Sequence, residues 1–303
     1  MATRQSKKET ITTRVGYIAI IGRPNVGKST LLNSFLGKKL SITSRKPQTT
    51  RHRILGVKTT GNTQMIFVDT PGMHLDEKKL MNQHLNKTAL STLNDADCVL
   101  WLLDATRWDT NDDWVAEKLS HCKTPVILVI NKVDKLESSD DVIPLVEKMA
   151  EKLSNLVIIP ISAKKKFNLD RLSQLIESHL PIGPFYFDKE QVTDRPESFV
   201  AAEFIREKLV RFLGDEMPYA TMVSIESFKR EGRLLRIEAV IWVEKESQKG
   251  IVIGKKGDML KKIGEKSRLA MEKYFDQKIF LQTWVKVKEG WSENDQVLRE
   301  TLM

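Results

Sequence analysis

The chain has 303 residues, of which 41% are hydrophobic and 29% are charged, enough for two ordinary globular domains with their own cores. No apolar run approaches the roughly 20 residues of a membrane-spanning helix. Cys98 and Cys122 lack the spacing of a zinc site or a disulfide framework. Membrane-spanning and disulfide-stapled classes are therefore excluded, and we expect a cytoplasmic protein with reduced thiols.

The net charge of +9 is unevenly distributed. Residues 1–58 hold 13 Lys and Arg against the single acid Glu9, and residues 245–288 hold 12 against 5 acids. The stretch between them, 59–244, has 23 basic and 30 acidic residues. Two separate basic regions suggest two places that bind polyanions, although composition alone would favour ordinary solvated surface.

The first 13 residues are polar and almost free of acids, and they have no apolar core. This composition predicts a flexible tail; a transit peptide is the alternative. The apolar, β-branched run Val15–Ile21 then predicts a buried strand of a parallel sheet.

A glycine-rich loop, GRPNVGKST, follows this strand and leads into the helical pattern of Thr30–Leu36. Strand, GxxxxGK[ST] and helix is the context in which such a loop binds a nucleoside triphosphate. Glycines let backbone N–H groups surround the phosphates, and the helix N-terminus adds a favourable dipole. Lys28 would supply a cation to the β- and γ-phosphates, and Ser29 would offer a hydroxyl to Mg²⁺. The alternative is a plain glycine turn.

Three later signatures each follow an apolar strand, as nucleotide-contacting loops do in open α/β sheets. Asp69-Thr70-Pro71-Gly72 follows Gln64–Val68, and its carboxylate could hold Mg²⁺ through water while Gly72 senses a γ-phosphate. Asn131-Lys132-Val133-Asp134 follows Pro125–Ile130. A carboxylate there would accept from guanine and reject adenine, which argues against a small-molecule kinase. Ser162-Ala163-Lys164 follows Val157–Ile161 and would donate a backbone N–H to the base.

These motifs resemble those of the P-loop GTPases. The resemblance implies that the chain binds GTP and GDP with Mg²⁺, that Ser29, Thr50 and Asp69 hold the metal, and that Lys28, Thr50 and Asn25 act in hydrolysis. The implied nucleotide-binding residues are Gly22, Arg23, Pro24, Asn25, Val26, Gly27, Lys28, Ser29, Thr30, Asp69, Thr70, Pro71, Gly72, Asn131, Lys132, Asp134, Ser162, Ala163 and Lys164.

Between the first two motifs lies SITSRKPQTTRHR, Ser41 to Arg53, which is basic and has no periodicity. We expect a mobile loop here. By resemblance to the translation-factor-related GTPases, Thr50 is the switch I ligand of Mg²⁺, with Thr49 as the close alternative.

Met73 stands where Ras-like enzymes carry the glutamine that orients water. Intrinsic GTP hydrolysis by this chain should therefore be slow unless an ion or a partner supplies the missing charge. In GTPases with an asparagine at the position of Asn25, that residue helps to bind K⁺ beside the phosphates, so the resemblance adds K⁺ to the expected cofactors.

Helical patterns at Lys78–Asn94, Ser138–Leu153 and Leu169–Leu180 and a strand at Cys98–Leu103 complete the first unit. We therefore predict an α/β P-loop GTPase domain over residues 14–180, with a mostly parallel sheet and helices on both faces. The polar stretch 181–196, which opens with Pro181-Ile182-Gly183-Pro184, is expected to be a linker.

The remainder, 197–303, predicts a second domain ending in a C-terminal tail. Its pattern is a helix at Glu197–Leu213, strands at Thr221–Arg230 and Leu234–Glu244 joined at Glu231-Gly232, a helical region at Ile251–Tyr274 and a strand at Lys278–Lys288. This order, with a GxxG loop inside the helical region, resembles an α+β type II KH domain.

The GxxG loop is Gly254-Lys255-Lys256-Gly257, preceded by Ile251-Val252-Ile253 and followed by Leu260-Lys261-Lys262-Ile263-Gly264. Its glycines would let a single-stranded RNA backbone approach, and apolar neighbours would contact the bases. The alternative is a helix corner with solvated lysines. The predicted RNA-binding residues are Ile253, Gly254, Lys255, Lys256, Gly257, Lys261 and Lys262.

A GTPase domain followed by a KH domain resembles the Era family of bacterial ribosome-assembly GTPases over nearly the whole chain. The resemblance implies binding of 16S rRNA near its 3′ end, assistance to 30S subunit assembly, GTP control of RNA engagement, and a peripheral association with the inner membrane. The alternative function is an RNA-binding module that holds GTP as a structural ligand without significant turnover.

Overall fold

The computed structural model describes residues 12–44, 46, 50–73, 80–152, 156–214 and 217–291. Three predictions lie outside these residues: most of the N-terminal tail, Thr49 as a metal ligand, and the C-terminal tail beyond Trp291. Within the described ranges, no helix has both the length and the apolar character needed to span a membrane.

The first unit is built on a six-stranded sheet in the order β2-β3-β1-β4-β5-β6. The β2–β3 pair is antiparallel, and all the other neighbouring pairs are parallel. The strands are β1 (Arg14–Ile21), β2 (Ile54–Thr60), β3 (Thr63–Asp69), β4 (Cys98–Asp104), β5 (Val126–Asn131) and β6 (Val157–Ile161).

Five helices cover both faces of this sheet, so its central strands are buried on both sides. All seven residues of β3 and all seven of β4 are buried, as expected for strands with helices on both faces. The helices are α1 (Lys28–Leu36), α2 (Leu80–Asn94), α3 (Thr110–Ser120), α4 (Ile143–Lys152) and α5 (Leu169–His179). The predicted α/β class and the predicted strands of this unit are confirmed.

Two elements of this unit, β2 and α3, are not among those predicted from the sequence. Strand β2 pairs with only β3 and carries Lys58, Thr59 and Thr60 on its outer half, so it lacks the apolar run that identified the other strands. Helix α3 starts with a capping box in which Asp109 caps and Asp112 bonds back to the cap. That D-x-x-D spacing was the sequence signal available for α3.

The second unit has the predicted order of helix, two strands, two helices and strand. Its elements are α6 (Glu197–Phe212), β7 (Thr221–Glu231), β8 (Leu234–Val243), α7 (Glu246–Ile253), α8 (Asp258–Phe275) and β9 (Lys278–Val287). The sheet order is β7-β8-β9, with β7 antiparallel and β9 parallel to β8. The first turn is one residue later than predicted, because Glu231 still pairs with Leu234 and Gly232 takes the left-handed conformation at φ 57°.

Helices α6 and α8 pack on one face of this sheet. Leu235, Ile237 and Ile279 of the sheet join Ile263 and Met271 of α8 in one buried cluster. That cluster also contains Phe35 and Leu40 of the first unit and Phe204 of α6, so the two units share apolar packing.

Polar contacts reinforce the junction between the units, and most of them involve the segment 39–53. Lys39 Nζ lies 2.6 Å from Glu207 Oε2, and Arg51 Nη1 donates to the Thr221 carbonyl at 2.9 Å. Lys46 donates to the Leu213 carbonyl. The stretch predicted as a mobile loop is therefore tied to the second unit at several described positions.

The stretch 181–196 follows the edge of the six-stranded sheet. Gln64 Oε1 accepts from the backbone N–H groups of Tyr186 and Phe187 at 2.9 and 3.0 Å, and Val57 N donates to Val192 O at 2.8 Å. These bonds hold the connecting segment along β2 and β3.

Candidate functional site

The loops that follow β1, β3, β5 and β6 meet in one pocket at the carboxyl edge of the sheet. Since β1 lies between β3 and β4, the strand order reverses there, and this is where ligands of open α/β sheets bind. The residues lining the pocket include Pro24, Asn25, Gly27, Lys28, Ser29, Thr30, Thr50, Gly72, Asn131, Lys132, Asp134, Ala163 and Lys164. All four predicted motifs thus contribute to it.

The first loop needs its glycines. Gly22 and Gly27 have φ of 145° and 109°, a region that favours glycine. A Cβ on Gly27 would lie 2.3 Å from Asn131 Nδ2, and one on Gly22 would lie 2.5 Å from Leu102 O. The loop can therefore approach its neighbours closely and present backbone N–H groups to an anion.

The Lys28 ammonium lies inside this loop. It is buried and donates to the carbonyls of Gly22 and Arg23, both at 2.9 Å. Burial lowers the pKa of Lys28 to about 8, an effect that the nearby Asp69 carboxylate opposes. A buried cation that donates to backbone carbonyls inside the loop is a fitting partner for phosphate oxygens.

Three side-chain oxygens predicted to hold Mg²⁺ lie together. Ser29 Oγ donates to Asp69 Oδ2 at 2.8 Å and lies 2.9 Å from Thr50 Oγ1, which is 3.4 Å from the same carboxylate oxygen. Asp69 is fully buried, and its Oδ1 accepts no hydrogen bond from the described residues. Burial raises the pKa of Asp69. A buried carboxylate with an unpaired oxygen and two hydroxyls fits a hard divalent cation.

Ser41 is part of this cluster and was missed by the sequence analysis. Its hydroxyl is buried and donates to Asp69 Oδ2 at 2.7 Å. Asn33 Oδ1 accepts from the backbone N–H groups of Leu40 and Ser41 at 2.8 and 2.9 Å, which fixes this start of the segment. No motif marks Ser41, because its place depends on how the segment folds over α1.

At the other end of the pocket, Asn131 joins three loops. Its Nδ2 donates to Val26 O at 2.8 Å, and its Oδ1 accepts from Ala163 N at 3.0 Å. Asp134 is exposed, and its Oδ1 accepts from Ser162 Oγ at 2.5 Å. Asn131 therefore has a positioning geometry, whereas the Asp134 carboxylate faces the open pocket.

Lys132 crosses from β5 back to the first loop. Its Nζ donates to the Asn25 carbonyl at 2.6 Å and lies 2.5 Å from Asp104 Oδ2 at the end of β4. Asp104 was not singled out from the sequence. Its role as an anchor for Lys132 follows only from the sheet order, which places β4 beside β5.

Some of the residues predicted to bind the nucleotide have side chains that point away from the pocket. The Arg23 side chain is buried against α3, where its Nε lies 2.8 Å from Asp112 Oδ2 and its Nη2 donates to Arg107 O at 2.8 Å. Val26 packs in the core, and Thr70 Oγ1 donates to Ile20 O at 2.8 Å. These residues can reach a ligand only through their backbone.

Met73 is also turned away from the pocket. Its side chain is 1% exposed and packs in the core with Ala89 and Val115, and its backbone N–H donates to Gly22 O at 3.3 Å. This position therefore offers no polar side chain to a water molecule.

The GxxG loop lies between α7 and α8, as predicted. Gly254, Lys256 and Gly257 have positive φ values of 74°, 53° and 84°, and a Cβ on Gly254 would lie 2.6 Å from Met259 Cβ. Lys255 and Lys256 are exposed and Ile253 is half-buried. The loop is a sharp corner with two cations at its tip.

A groove runs from this loop between α8 and β9. It is lined by Gly257, Leu260, Lys261, Gly264, Leu281 and Thr283, among others. Lys262, also predicted to bind RNA, instead places its Nζ 4.7 Å from the centre of the Phe212 ring on α6. The structure therefore puts Lys261 at the groove and Lys262 against α6.

Comparison with known proteins identifies both units. A family model described as a 50S ribosome-binding GTPase matches residues 17–132, and a KH domain model matches residues 216–292. GTPase Era of Coxiella burnetii (strain Dugway 5J108-111) is 53% identical over 288 residues, covering 95% of this chain and 97% of that protein. GTPase Era of Pseudomonas syringae pv. tomato is 52% identical over 291 residues, covering 96% and 97%.

Solved structures show the same two-unit arrangement. Era in complex with MgGDPNP and nucleotides 1506–1542 of 16S ribosomal RNA superposes with a TM-score of 0.91, at 40% identity over 95% of this chain and 98% of that one. A tyrosine-to-alanine variant of Aquifex aeolicus Era bound to GDP·AlF₄⁻ also gives 0.91, at 39% identity over 95% and 99%. The chain belongs to the Era family of GTPases, and its fold is a P-loop GTPase domain joined to a KH domain.

Proposed function

We propose that this protein is a GTP-driven switch that engages 16S rRNA near its 3′ end through the KH domain and thereby assists assembly of the 30S subunit. The carrying observation is that one chain holds a four-loop pocket suited to guanine nucleotide and a separate GxxG groove suited to RNA. The Era structure solved with MgGDPNP and 16S rRNA nucleotides 1506–1542 supports this pairing of ligands.

In the nucleotide pocket, the first loop would surround the phosphates, with Lys28 as the cation nearest to them. The exposed Asp134 carboxylate would accept hydrogen bonds from the guanine base. The loop that contains Ala163 would donate a backbone N–H to the same base. Ser29, Thr50 and Asp69 would hold Mg²⁺, which supplies charge neutralisation at the β- and γ-phosphates. Thr49 stays the alternative to Thr50.

Hydrolysis in this pocket would depend on a group other than a glutamine, because Met73 is buried in the core. Asn25 lines the pocket and has a left-handed backbone at φ 65°, a conformation that turns the loop beside the phosphate position. This placement supports K⁺ at that point as the source of the missing charge, with Lys28 and Thr50 beside it.

In the KH domain, RNA phosphates would pass Lys255 and Lys256, and bases would enter the groove between α8 and β9. The absence of a bulky side chain at Gly257 allows that approach, since nothing lies within 4 Å of the place where its Cβ would be. Lys261 lines the same groove, and Ile253 flanks the loop.

The division into residues 14–180, 181–196 and 197–303 stays a proposal, which the end of α5 at His179 and the start of α6 at Glu197 support. A cytoplasmic location and a peripheral association with the inner membrane stay predictions from the family resemblance.

The RNA-binding half of this proposal can be tested by replacing Lys255 and Lys256 together by Asp. A labelled RNA matching 16S nucleotides 1506–1542 should bind this variant at least tenfold more weakly, while GTP affinity stays unchanged. The dependence of log K on log salt should flatten by at least about 1.4, because two phosphate contacts of a single strand are lost.

The matched control replaces Lys266 and Lys273, two exposed lysines of helix α8 that follow the GxxG loop in the chain, by Asp, which changes the net charge equally. Thermal melting of both variants shows whether the domain is folded. Equal RNA affinity and salt slope in a folded Lys255/Lys256 variant and in the parent would reject the GxxG loop as the RNA site.

A further inference from the structure

The sheet of the KH domain has a second face that the helices do not cover. Its edge strand β9 carries Phe280 and Trp284 on this face, where they are 44% and 38% exposed. Their neighbours Ile279 and Leu281 point the other way, into the core formed with α8. Single exposed apolar side chains are ordinary, but aromatic side chains gathered on one face can mark an interaction site.

The strand register places basic side chains beside these rings. Phe280 is opposite Arg236, whose guanidinium lies 5.0 Å from the ring centre. Trp242 is opposite Lys286, whose Nζ lies 5.7 Å from the indole. Trp284 lies between these two rows, opposite Val240.

Trp284 differs from the other rings of this face. It makes no ring or cation contact with any part of the chain that the structure describes, and Val240 beside it is 1% exposed. The indole is thus 38% exposed beside a buried neighbour and is accessible to a planar group that could stack on it.

The charges of this outer face favour an anionic partner. The outward positions carry the four bases Lys229, Arg236, Lys278 and Lys286 and the three acids Glu226, Glu231 and Glu238. Arg236 is paired with Glu231 at 2.7 Å, so the positive charge is concentrated on β9, in Lys278 and Lys286 beside the two exposed rings. Aromatic rings interleaved with cations suit a nucleic acid strand, whose bases stack while its phosphates meet the basic side chains.

The outer face is also continuous with the GxxG groove. Leu281 and Thr283 of β9 line that groove, and the next residue, Trp284, projects to the opposite face because side chains alternate along a strand. Strand β9 is at the edge of the three-stranded sheet. An RNA chain that leaves the groove therefore crosses β9 alone to reach the outer face.

We propose that single-stranded RNA leaving the GxxG groove wraps round the edge of β9 and stacks on Trp284 and Phe280 of the outer face. Arg236, Lys278 and Lys286 contact its phosphates. This second RNA-contact surface rests on the proposed RNA-binding function of the KH domain and extends the bound length beyond the groove. Such a surface contributes affinity with little base specificity, because every base has a face that can stack.

The test uses the full chain, the RNA matching 16S nucleotides 1506–1542, and the variants Trp284→Leu and Trp284→Phe. Trp284→Leu should weaken RNA binding at least fivefold, and Trp284→Phe should recover most of the loss because it restores a ring. Tyr186→Leu, which removes an aromatic side chain of similar exposure elsewhere, should change nothing. Equal affinity in the parent and a folded Trp284→Leu variant would overturn the proposal.

A second measurement needs no substitution. RNA carrying 5-iodouridine is irradiated with the parent protein, and the crosslinked residues are identified by mass spectrometry. Crosslinks to Trp284 or Phe280 support the proposal, and crosslinks confined to the groove or to other surfaces overturn it, whatever the stability of the variants. A dimer in sedimentation that Trp284→Leu dissociates would also overturn it, by assigning the face to a second copy.

The two proposals fail in different ways. If the parent does not bind this RNA at all, the proposed function of the KH domain is wrong. If the parent binds and the Lys255/Lys256 variant does not, but Trp284→Leu binds like the parent and no outer-face crosslink forms, only the outer surface is wrong.

Discussion

Asp134 is the residue on which we propose that base specificity depends. Its carboxylate faces the open pocket and is oriented by Ser162 Oγ at 2.5 Å. In Asp134→Asn an amide would present a donor to guanine N1–H, so GTP affinity should fall at least a hundredfold, about 3 kcal/mol or more. Calorimetry should at the same time show a gain for xanthosine nucleotides, which offer a carbonyl in place of the amine. Unchanged GTP affinity would reject this base site.

Asn25 can be tested through the choice of salt. Exchange of NaCl for KCl at constant ionic strength should raise GTP turnover of the parent several-fold, and Asn25→Ala should lose that difference while it still binds GTP. Phosphate release measured under saturating GTP gives the rates. Equal rates of the parent in both salts would argue for a protein or RNA partner as the source of the missing charge.

Lys28 should make GTP affinity depend on pH. Burial brings its pKa to about 8 in the ligand-free pocket, and bound phosphates would raise it, so binding takes up a proton above pH 8. Affinity should be full below pH 8 and fall above it, by up to tenfold per pH unit. GMP, which has the same base but no β- or γ-phosphate, controls for ionisation of guanine. Parallel pH profiles for GTP and GMP would contradict a phosphate contact by Lys28.

The sequence pointed to residues that lie at the pocket, but not to the residues that hold them in place. Lys28, Asp69 and Asp134 could be named because each stands in a motif at a strand end. Ser41 and Asp104 could not, since their contacts join segments that are far apart in the chain. The motif also placed Arg23 in the nucleotide loop, where only the fold could show that its side chain binds Asp112 of α3 instead.

Among the elements, the segment 39–53 and helix α6 form the main polar junction between the two domains. The Glu207 side chain of α6 is fully buried, and its Oε2 accepts from Lys39 at 2.6 Å and from Lys208 at 2.7 Å. Arg211 Nη2 forms an ion pair with Glu207 Oε1 at 2.9 Å. It thus connects the end of α1 with the start of the KH domain. Arg211 in addition donates to the Thr43 carbonyl at 2.9 Å.

Removal of the Glu207 charge should therefore destabilise the chain. Glu207→Gln leaves three cations around a neutral amide, and we expect the free energy of unfolding to fall by about 1–3 kcal/mol. Chemical denaturation followed by circular dichroism measures this. Glu197→Gln, which breaks the exposed pair with Arg230 of the same domain, should cost at most about 1 kcal/mol. Equal losses in both variants would show that the Glu207 cluster does not stabilise the junction.

The sequence located elements whose apolar runs are long, and it failed where pairing decides the structure. Strands β3, β4 and β5 are almost wholly buried and β6 is partly buried, and the apolar side chains of all four predicted them. Strand β2 was not predicted because the second half of its sequence is polar. Its place in the sheet depends on pairing with β3, which the sequence pattern of β2 itself does not show. The GxxG corner was found because the two apolar stretches on either side predicted helices α7 and α8.

For the whole molecule, the order of the two domains was visible in the sequence, but their contact was not. The apolar cluster shared by Phe35, Leu40 and Phe204 and the polar bonds of segment 39–53 link the nucleotide pocket to the KH domain. Thr50, which would hold Mg²⁺, lies next to Arg51, which donates to Thr221 of β7. A change at the γ-phosphate therefore has a short covalent and hydrogen-bonded route to the RNA-binding half.

The affinity of this protein for the RNA matching 16S nucleotides 1506–1542, measured with a non-hydrolysable GTP analogue and again with GDP, tests the switch most directly. The two sites are predicted to be coupled, so the two dissociation constants should differ at least fivefold, and the RNA should change the relative affinity for the two nucleotides by the same factor. Identical RNA affinity in both nucleotide states would contradict the account, and the chain would then be two independent binding modules joined by a linker.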